Sequence, residues 1–173
     1  MIELHRRLRS ANVHHAFGGA LALAWCTEMA RGTLDVDLNL FVNPADAEVA
    51  LNALPTEIHV SDASRALIAR DGQVRLKWDK TYVDLFFSTT DLHEAAARRV
   101  RWEEVDEEEV PFLDCFDVAI FKAMFNRTKD WGDLEAMNAA GTLDKEGAIE
   151  VLVGLVGEHD PRIERMRTLP KVT

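Results

Sequence analysis

Thr33-Leu34-Asp35-Val36-Asp37-Leu38-Asn39-Leu40-Phe41-Val42 is the stretch on which the fold turns. Leu34, Val36, Leu38, Leu40 and Val42 fall on one side of a two-residue repeat, and Thr33, Asp35, Asp37 and Asn39 on the other. A period of two over this length predicts a β-strand with one apolar face in a core. Asp35 and Asp37 then project from the opposite face, about 6.5 Å apart along the backbone. A divalent cation such as Mg²⁺ wants hard oxygen ligands, taking few from protein and the rest from water and phosphate. A pair of carboxylates on the open face of a strand offers that chemistry. A plain solvated strand face has the same pattern, and for an isolated Asp-x-Asp it is the commoner case.

The flanking sequence weighs against that plain case. Upstream, Gly18-Gly19 opens a run from Ala20 to Ala30 whose Ala, Leu, Trp and Met content favours helix, and Arg31-Gly32 closes it. Glycines at a helix start let the backbone approach a phosphate, and a helix N-terminus favours negative charge. Downstream, Val74–Trp78 and Tyr82–Phe87 predict a hairpin turning at Asp79-Lys80. In its second arm Val83, Leu85 and Phe87 alternate with Tyr82, Asp84 and Phe86. An unpaired carboxylate at Asp84 would be costly in so apolar a strand. A third carboxylate from a neighbouring strand completes a clamp for two metal ions, about 4 Å apart, around an in-line phosphoryl displacement. Asp35, Asp37 and Asp84 are therefore the candidate metal ligands.

The rest of the chain supplies helices and connections. Leu4–Ala11 predicts a short first helix, Asn43-Pro44 starts another over Ala45–Leu54, and Ala63–Ala69 gives a third that closes at Asp71-Gly72. Glu57–Val60 is expected as a short strand and Leu92–Arg99 as a helix. The acidic run of Glu103, Glu104, Asp106, Glu107, Glu108 and Glu109 is expected as a solvated linker. Beyond Pro111, the segments Phe112–Thr128, Trp131–Ala140 and Lys145–Gly157 predict helices, with a short basic one over Arg162–Arg167. The fold class is α+β, with an α/β part over residues 1–110 and an all-helical part over residues 111–173.

Composition narrows the function classes. The 173 residues carry a formal net charge of -10, which argues against broad, sequence-blind DNA binding. A hydrophobic share of 47% and a charged share of 29% suit an ordinary soluble globular protein. Arg6, Arg7 and Arg9 before the apolar run Ala16–Cys26 imitate a signal peptide. His14 and His15 sit just before that run, the glycine pair interrupts its start, and it leads directly into the aspartate strand. No stretch approaches the length of a transmembrane helix, so a cytoplasmic protein with no membrane association is expected. Cys26 and Cys115 belong to no C-x-x-C pair and are expected as buried thiols in a reducing cytosol. The six histidines lack metal-site spacing, and no serine has the G-x-S-x-G context of a nucleophile elbow. Arg98, Arg99 and Arg101 suit a solvated helix face, with contact to a polynucleotide as the sharper alternative.

Gly18-Gly19, a helix, Arg31-Gly32-Thr33-Leu34-Asp35-Val36-Asp37-Leu38 and Val83-Asp84-Leu85-Phe86 together resemble the DNA polymerase β-type nucleotidyltransferase superfamily. Within it the sequence is most similar to AbiEii-like toxin nucleotidyltransferases, with their Gly-Gly, Ala/Leu-rich helix and Arg-x-Thr-x-Asp-x-Asp signature. Phe121-Lys122 through Arg127-Thr128-Lys129-Asp130-Trp131-Gly132-Asp133-Leu134 resembles that group's helical motif. The resemblance spans roughly residues 14 to 137. It departs at Ala20, where many superfamily members have Ser, and in being shorter than typical AbiEii-like toxins.

The resemblance implies a small mixed sheet flanked by helices, followed by a helical part, and a transfer of NMP from an NTP to an acceptor hydroxyl. It implies that Gly18 and Gly19 cradle the triphosphate, helped by Arg31, Thr33, Arg127 and Asp130 as nucleotide-binding positions. Asp35 and Asp37 would ligate two Mg²⁺ ions. Asp84 would ligate the catalytic one and help deprotonate the acceptor. Lys122 would reach the triphosphate, with Asp130 or Asp133 orienting it or a neighbouring arginine. A helix face in which Lys122 and Arg127 are simply ion-paired to Asp130 and Asp133 fits the sequence equally well. The implied acceptor is a tRNA or other RNA end or a protein side chain, with an antibiotic-type small molecule behind them. A cognate toxin or antitoxin partner is implied too. The alternative is a weakly catalytic protein of this fold that acts by binding.

Overall fold

The computed structural model describes residues 1–30 and 32–170. They form two compact units, one of Met1–Leu21 with Gly32–Leu113, the other of the segment from Ala22 with the region from Asp114.

The first unit is built on a six-stranded mixed sheet. Its strands are β1 (His15–Phe17), β2 (Asp35–Leu40), β3 (Gln73–Trp78), β4 (Thr81–Phe87), β5 (Arg101–Val105) and β6 (Glu108–Phe112), in the order β3-β4-β2-β1-β6-β5. β2 runs parallel to β4 and β1 parallel to β6, while the β1–β2, β3–β4 and β5–β6 pairs are antiparallel. The helices are α1 (Ile2–Ser10), α2 (Gly19–Thr27, which starts in this unit and continues into the other), α3 (Ala47–Leu51), α4 (Asp62–Asp71) and α5 (Asp91–Arg98). The α+β class expected from the sequence is the one observed.

Alternation explains the central strands. Val36, Leu38 and Leu40 of β2, Val83, Leu85 and Phe87 of β4, and Val74 and Leu76 of β3 are buried. Their out-of-phase neighbours Gln73, Arg75, Lys77 and Tyr82 face solvent. α4 ends at Gly72, whose φ of +66° is the left-handed conformation that terminates helices.

Several expectations are corrected. The aspartate strand is shorter than Thr33–Val42. Pairing with β4 starts at Asp35 opposite Tyr82, and Leu34 remains 76% exposed. The helix expected over Ala45–Leu54 is a 3-10 turn at Pro44–Asp46 followed by α3, after which the chain tightens into turns before Pro55. Glu57–Val60 is not a strand. Ile58 donates to the Pro55 carbonyl in a tight turn and buries its side chain.

The largest correction is the acidic run, which is a hairpin rather than a linker. Asp106 and Glu107 both take positive φ, +48° and +66°, and Val105 pairs with Glu108 across them. Two consecutive positive φ values form the turn that matches strand twist. Glu103 and Glu104 lie on β5, the outermost strand on this side of the sheet, where charge discourages pairing with a further strand. Phe112 ends β6, so the helix expected from that residue begins only at Cys115.

The second unit holds α6 (Cys115–Phe125), α7 (Thr128–Ala139), α8 (Lys145–Val156) and α9 (Pro161–Arg167). Asp114, Asp144 and Asp160 cap α6, α8 and α9 by accepting backbone N–H groups. Ile120, Trp131, Leu134, Met137, Leu152, Ile163 and Met166 are fully buried between them. Cys26 and Cys115 are not free thiols but a disulfide, with Cα atoms 5.6 Å apart. Packing brings the end of α2 to the start of α6, a proximity that a separation of 89 residues conceals in the sequence. No helix among the described residues is long and apolar enough to cross a membrane.

Candidate active site

The parallel pairing of β2 with β4 sets Asp37 directly beside Asp84, while Asp35, opposite Tyr82, lies two residues back on the same face. Adjacent strands lie about 4.8 Å apart, so the three carboxylates share one patch of the sheet. The buried face beneath is apolar throughout, which fixes which way they point.

The glycine pair is required by this patch. Gly18 donates its N–H to the Asp37 carbonyl at 2.9 Å. A Cβ on Gly18 would stand 2.7 Å from Asn39 Nδ2, and one on Gly19 would fall on the Asp37 carboxylate. Gly19 also takes a φ of +53°, which L-residues with side chains rarely adopt. Helix α2 starts at Gly19, so its positive N-terminal end abuts Asp37. Gly19 thus makes room for the Asp37 carboxylate and Gly18 for the Asn39 amide.

Thr33 fastens the start of the strand. Its Oγ1 accepts the Asp35 N–H at 3.1 Å and donates to the Asp35 carbonyl at 3.0 Å. Arg31, the other implied nucleotide-binding residue of this segment, lies outside the described residues.

A residue absent from the sequence-based candidates stands among the carboxylates. Arg75 on β3 pairs directly across from Asp84. Its Nε donates to Asp84 Oδ1 at 2.7 Å and its Nη2 to Asp84 Oδ2 at 2.6 Å. The same Nη2 reaches Asp35 Oδ2 at 3.4 Å, and the guanidinium carbon lies 5.2 Å from the centre of the Tyr82 ring. The hydrogen bond to Asp84 raises the Arg75 guanidinium above even its ordinary pKa. The sequence does hold a usable signal for it. A two-residue turn at Asp79-Lys80 makes opposed residues sum to 159, which puts 75 against 84.

The donor set suits a hard cation, and Arg75 already occupies a cationic position between Asp84 and Asp35. Among the described residues no three His, Cys, Asp or Glu side chains converge into a ready-made metal cage.

In the second unit the implied basic residues each have an acidic partner. Lys122 Nζ donates to Asp133 Oδ2 at 2.7 Å, with both side chains buried. Arg127 Nε and Nη2 hold Asp130 at 2.7 and 3.1 Å, and the Arg127 N–H caps the same carboxylate. Burial pushes the Asp130 carboxyl up, but the Arg127 hydrogen bonds outweigh it and leave it below its ordinary value. Asp133 thus orients the lysine and Asp130 the arginine.

No protein-family model and no curated protein matches this sequence. Solved structures do match. An antigenic nucleotidyltransferase-like protein from Paracoccidioides brasiliensis aligns over 98% of this chain and 91% of its own, with a TM-score of 0.52 and 15% identity. The antibiotic-resistance factor ANT(2'')-Ia aligns over 96% of this chain and 86% of its own, with a TM-score of 0.54 and 12% identity. The chain has the nucleotidyltransferase fold.

Proposed function

We propose that this protein is a metal-dependent nucleotidyltransferase that moves an NMP from an NTP to an acceptor hydroxyl. The observation that carries the reading is the β2–β4 register, which sets Asp37 beside Asp84 and Asp35 on the same face. The three carboxylates share the patch with one guanidinium, and their oxygens are the hard ligands that a divalent ion carrying phosphates takes. In this reading Asp35 and Asp37 hold two Mg²⁺ ions, and Asp84 holds the catalytic one and accepts the acceptor's proton. When bound, the metals polarise the transferring phosphoryl group and stabilise the leaving pyrophosphate. In this reading Gly18, Gly19 and Thr33 bind the nucleotide, and the sequence motif adds Arg31 as a further binding residue. Lys122, Arg127 and Asp130 are proposed for the triphosphate, although the partners of both cations support a structural role equally well.

The likeness to AbiEii-like toxins favours an RNA end or a protein side chain as acceptor and a toxin–antitoxin context. An antibiotic hydroxyl is the second acceptor class, for which the fold shared with ANT(2'')-Ia speaks. The test is incorporation from each of four labelled NTPs into total RNA, cell protein and an antibiotic panel. Label in one acceptor class, dependent on Mg²⁺, is the expected result. Absence of both incorporation and nucleotide binding would replace the enzyme by a binding protein of this fold.

A further inference from the structure

Arg75 is not placed like an ordinary surface arginine. Its neighbours in the exposed row of β3, Gln73 and Lys77, lie opposite Phe86 and Tyr82, whereas Arg75 lies opposite a carboxylate. Its fork engages both oxygens of Asp84, and one nitrogen is shared with Asp35 on the next strand but one. The carboxylates it spans are two of the three assigned above to metal.

We propose that Arg75 is a built-in counter-cation of the Asp35–Asp84 pair, which a divalent ion must displace in order to bind. The inference rests on the metal-site reading of those aspartates. A metal ion at about 2.1 Å from a carboxylate oxygen claims the lone pairs that the guanidinium now uses, and the two cations repel at that distance. One of them leaves. Arg75 is the one that can, because its side chain is 54% exposed on an edge strand and its departure opens no core.

The arrangement couples metal to nucleotide. Free metal must displace the guanidinium with nothing in exchange, whereas a metal arriving with a triphosphate brings an anion that the planar fork matches as well as it matches a carboxylate. Metal and nucleotide therefore help each other bind, and by linkage to the same degree. Without the guanidinium, free metal binds well and the nucleotide adds less.

The test is Mn²⁺ titration of the full chain followed by electron paramagnetic resonance, which reads metal binding without turnover. Wild type, Arg75→Gln, Arg75→Lys and Asp35→Asn are compared with and without a non-hydrolysable NTP analogue. Arg75→Gln should bind free Mn²⁺ about tenfold more tightly than wild type. The gain should shrink when the analogue is present. Arg75→Lys should fall between, since an ammonium cannot hold both Asp84 oxygens in a fork. Equal or weaker Mn²⁺ binding by Arg75→Gln, alongside a loss in Asp35→Asn, overturns the role of Arg75 and leaves the metal site standing. Absence of Mn²⁺ binding in both wild type and Arg75→Gln overturns the metal site and this inference together.

Discussion

Asp84 and Gly19 illustrate how much a single side chain, or its absence, controls in this site. Asp84 is 15% exposed at its side chain and is held by a half-exposed arginine, so it contributes little to stability. Asp84→Asn should lower NMP transfer by about 100-fold or more. The same change should move the stability of the protein by less than about 1 kcal/mol, read from urea unfolding. Gly19 behaves in the opposite way. Its φ of +53° and the carboxylate in the path of a Cβ mean that Gly19→Ala should cost about 1–3 kcal/mol. Gly132 is the control. It lies inside α7 with nothing within 4 Å of where a methyl group would stand, so Gly132→Ala should stabilise by up to about 1 kcal/mol.

Between elements, two contacts have measurable consequences. Lys122 of α6 and Asp133 of α7 form a buried pair, so Lys122→Met should cost about 3–5 kcal/mol by removing the positive charge beside a buried carboxylate. Adding Asp133→Leu should recover much of that loss, again by urea unfolding. The α1–β1 contact is pH-sensitive. His15 Nδ1 donates to the Val13 carbonyl, so its Nε2 accepts from His5 Nδ1. Burial lowers His15 to about 4, below its ordinary 6.5. The unfolded chain therefore binds more protons between those values. Stability is complete above pH 6.5 and falls by up to about 3 kcal/mol as the pH drops to 4. Urea midpoints across that range should show the slope, and His15→Phe should flatten it.

The same elements show what is legible in the sequence. β2, β3 and β4 can be read because each buries one face and alternates accordingly, and the helix after Gly18 because its composition is helical. Those elements carry the aspartates, so most of the candidate site is visible. Three-residue β1 is too short to show a period. β5 and β6 are hidden because Asp106-Glu107 is an unusual pair for positive φ and because Pro111 sits inside a strand. Arg75 is hidden for a different reason. Alternation marks it only as an exposed strand residue, and its carboxylate partner emerges only when the register is counted back across the hairpin from Asp79-Lys80.

Across the whole molecule, the disulfide and the fold set the remaining expectations. The Cys26–Cys115 bond spans 89 residues, so reducing it should cost up to about 4–5 kcal/mol in the chain-entropy account. Thermal melts with and without a phosphine reductant should show the loss, and the double variant Cys26→Ala/Cys115→Ala should not respond to the reductant. The fold is shared with nucleotidyltransferases at 12–15% identity, which leaves the use of the three carboxylates to experiment. The most direct one compares wild type with Asp35→Asn/Asp84→Asn, each shown to be folded, in transfer of label from α-labelled NTPs with Mg²⁺. Wild type should label an acceptor and the double variant should not. Equal labelling by the two would contradict the assignment of this site.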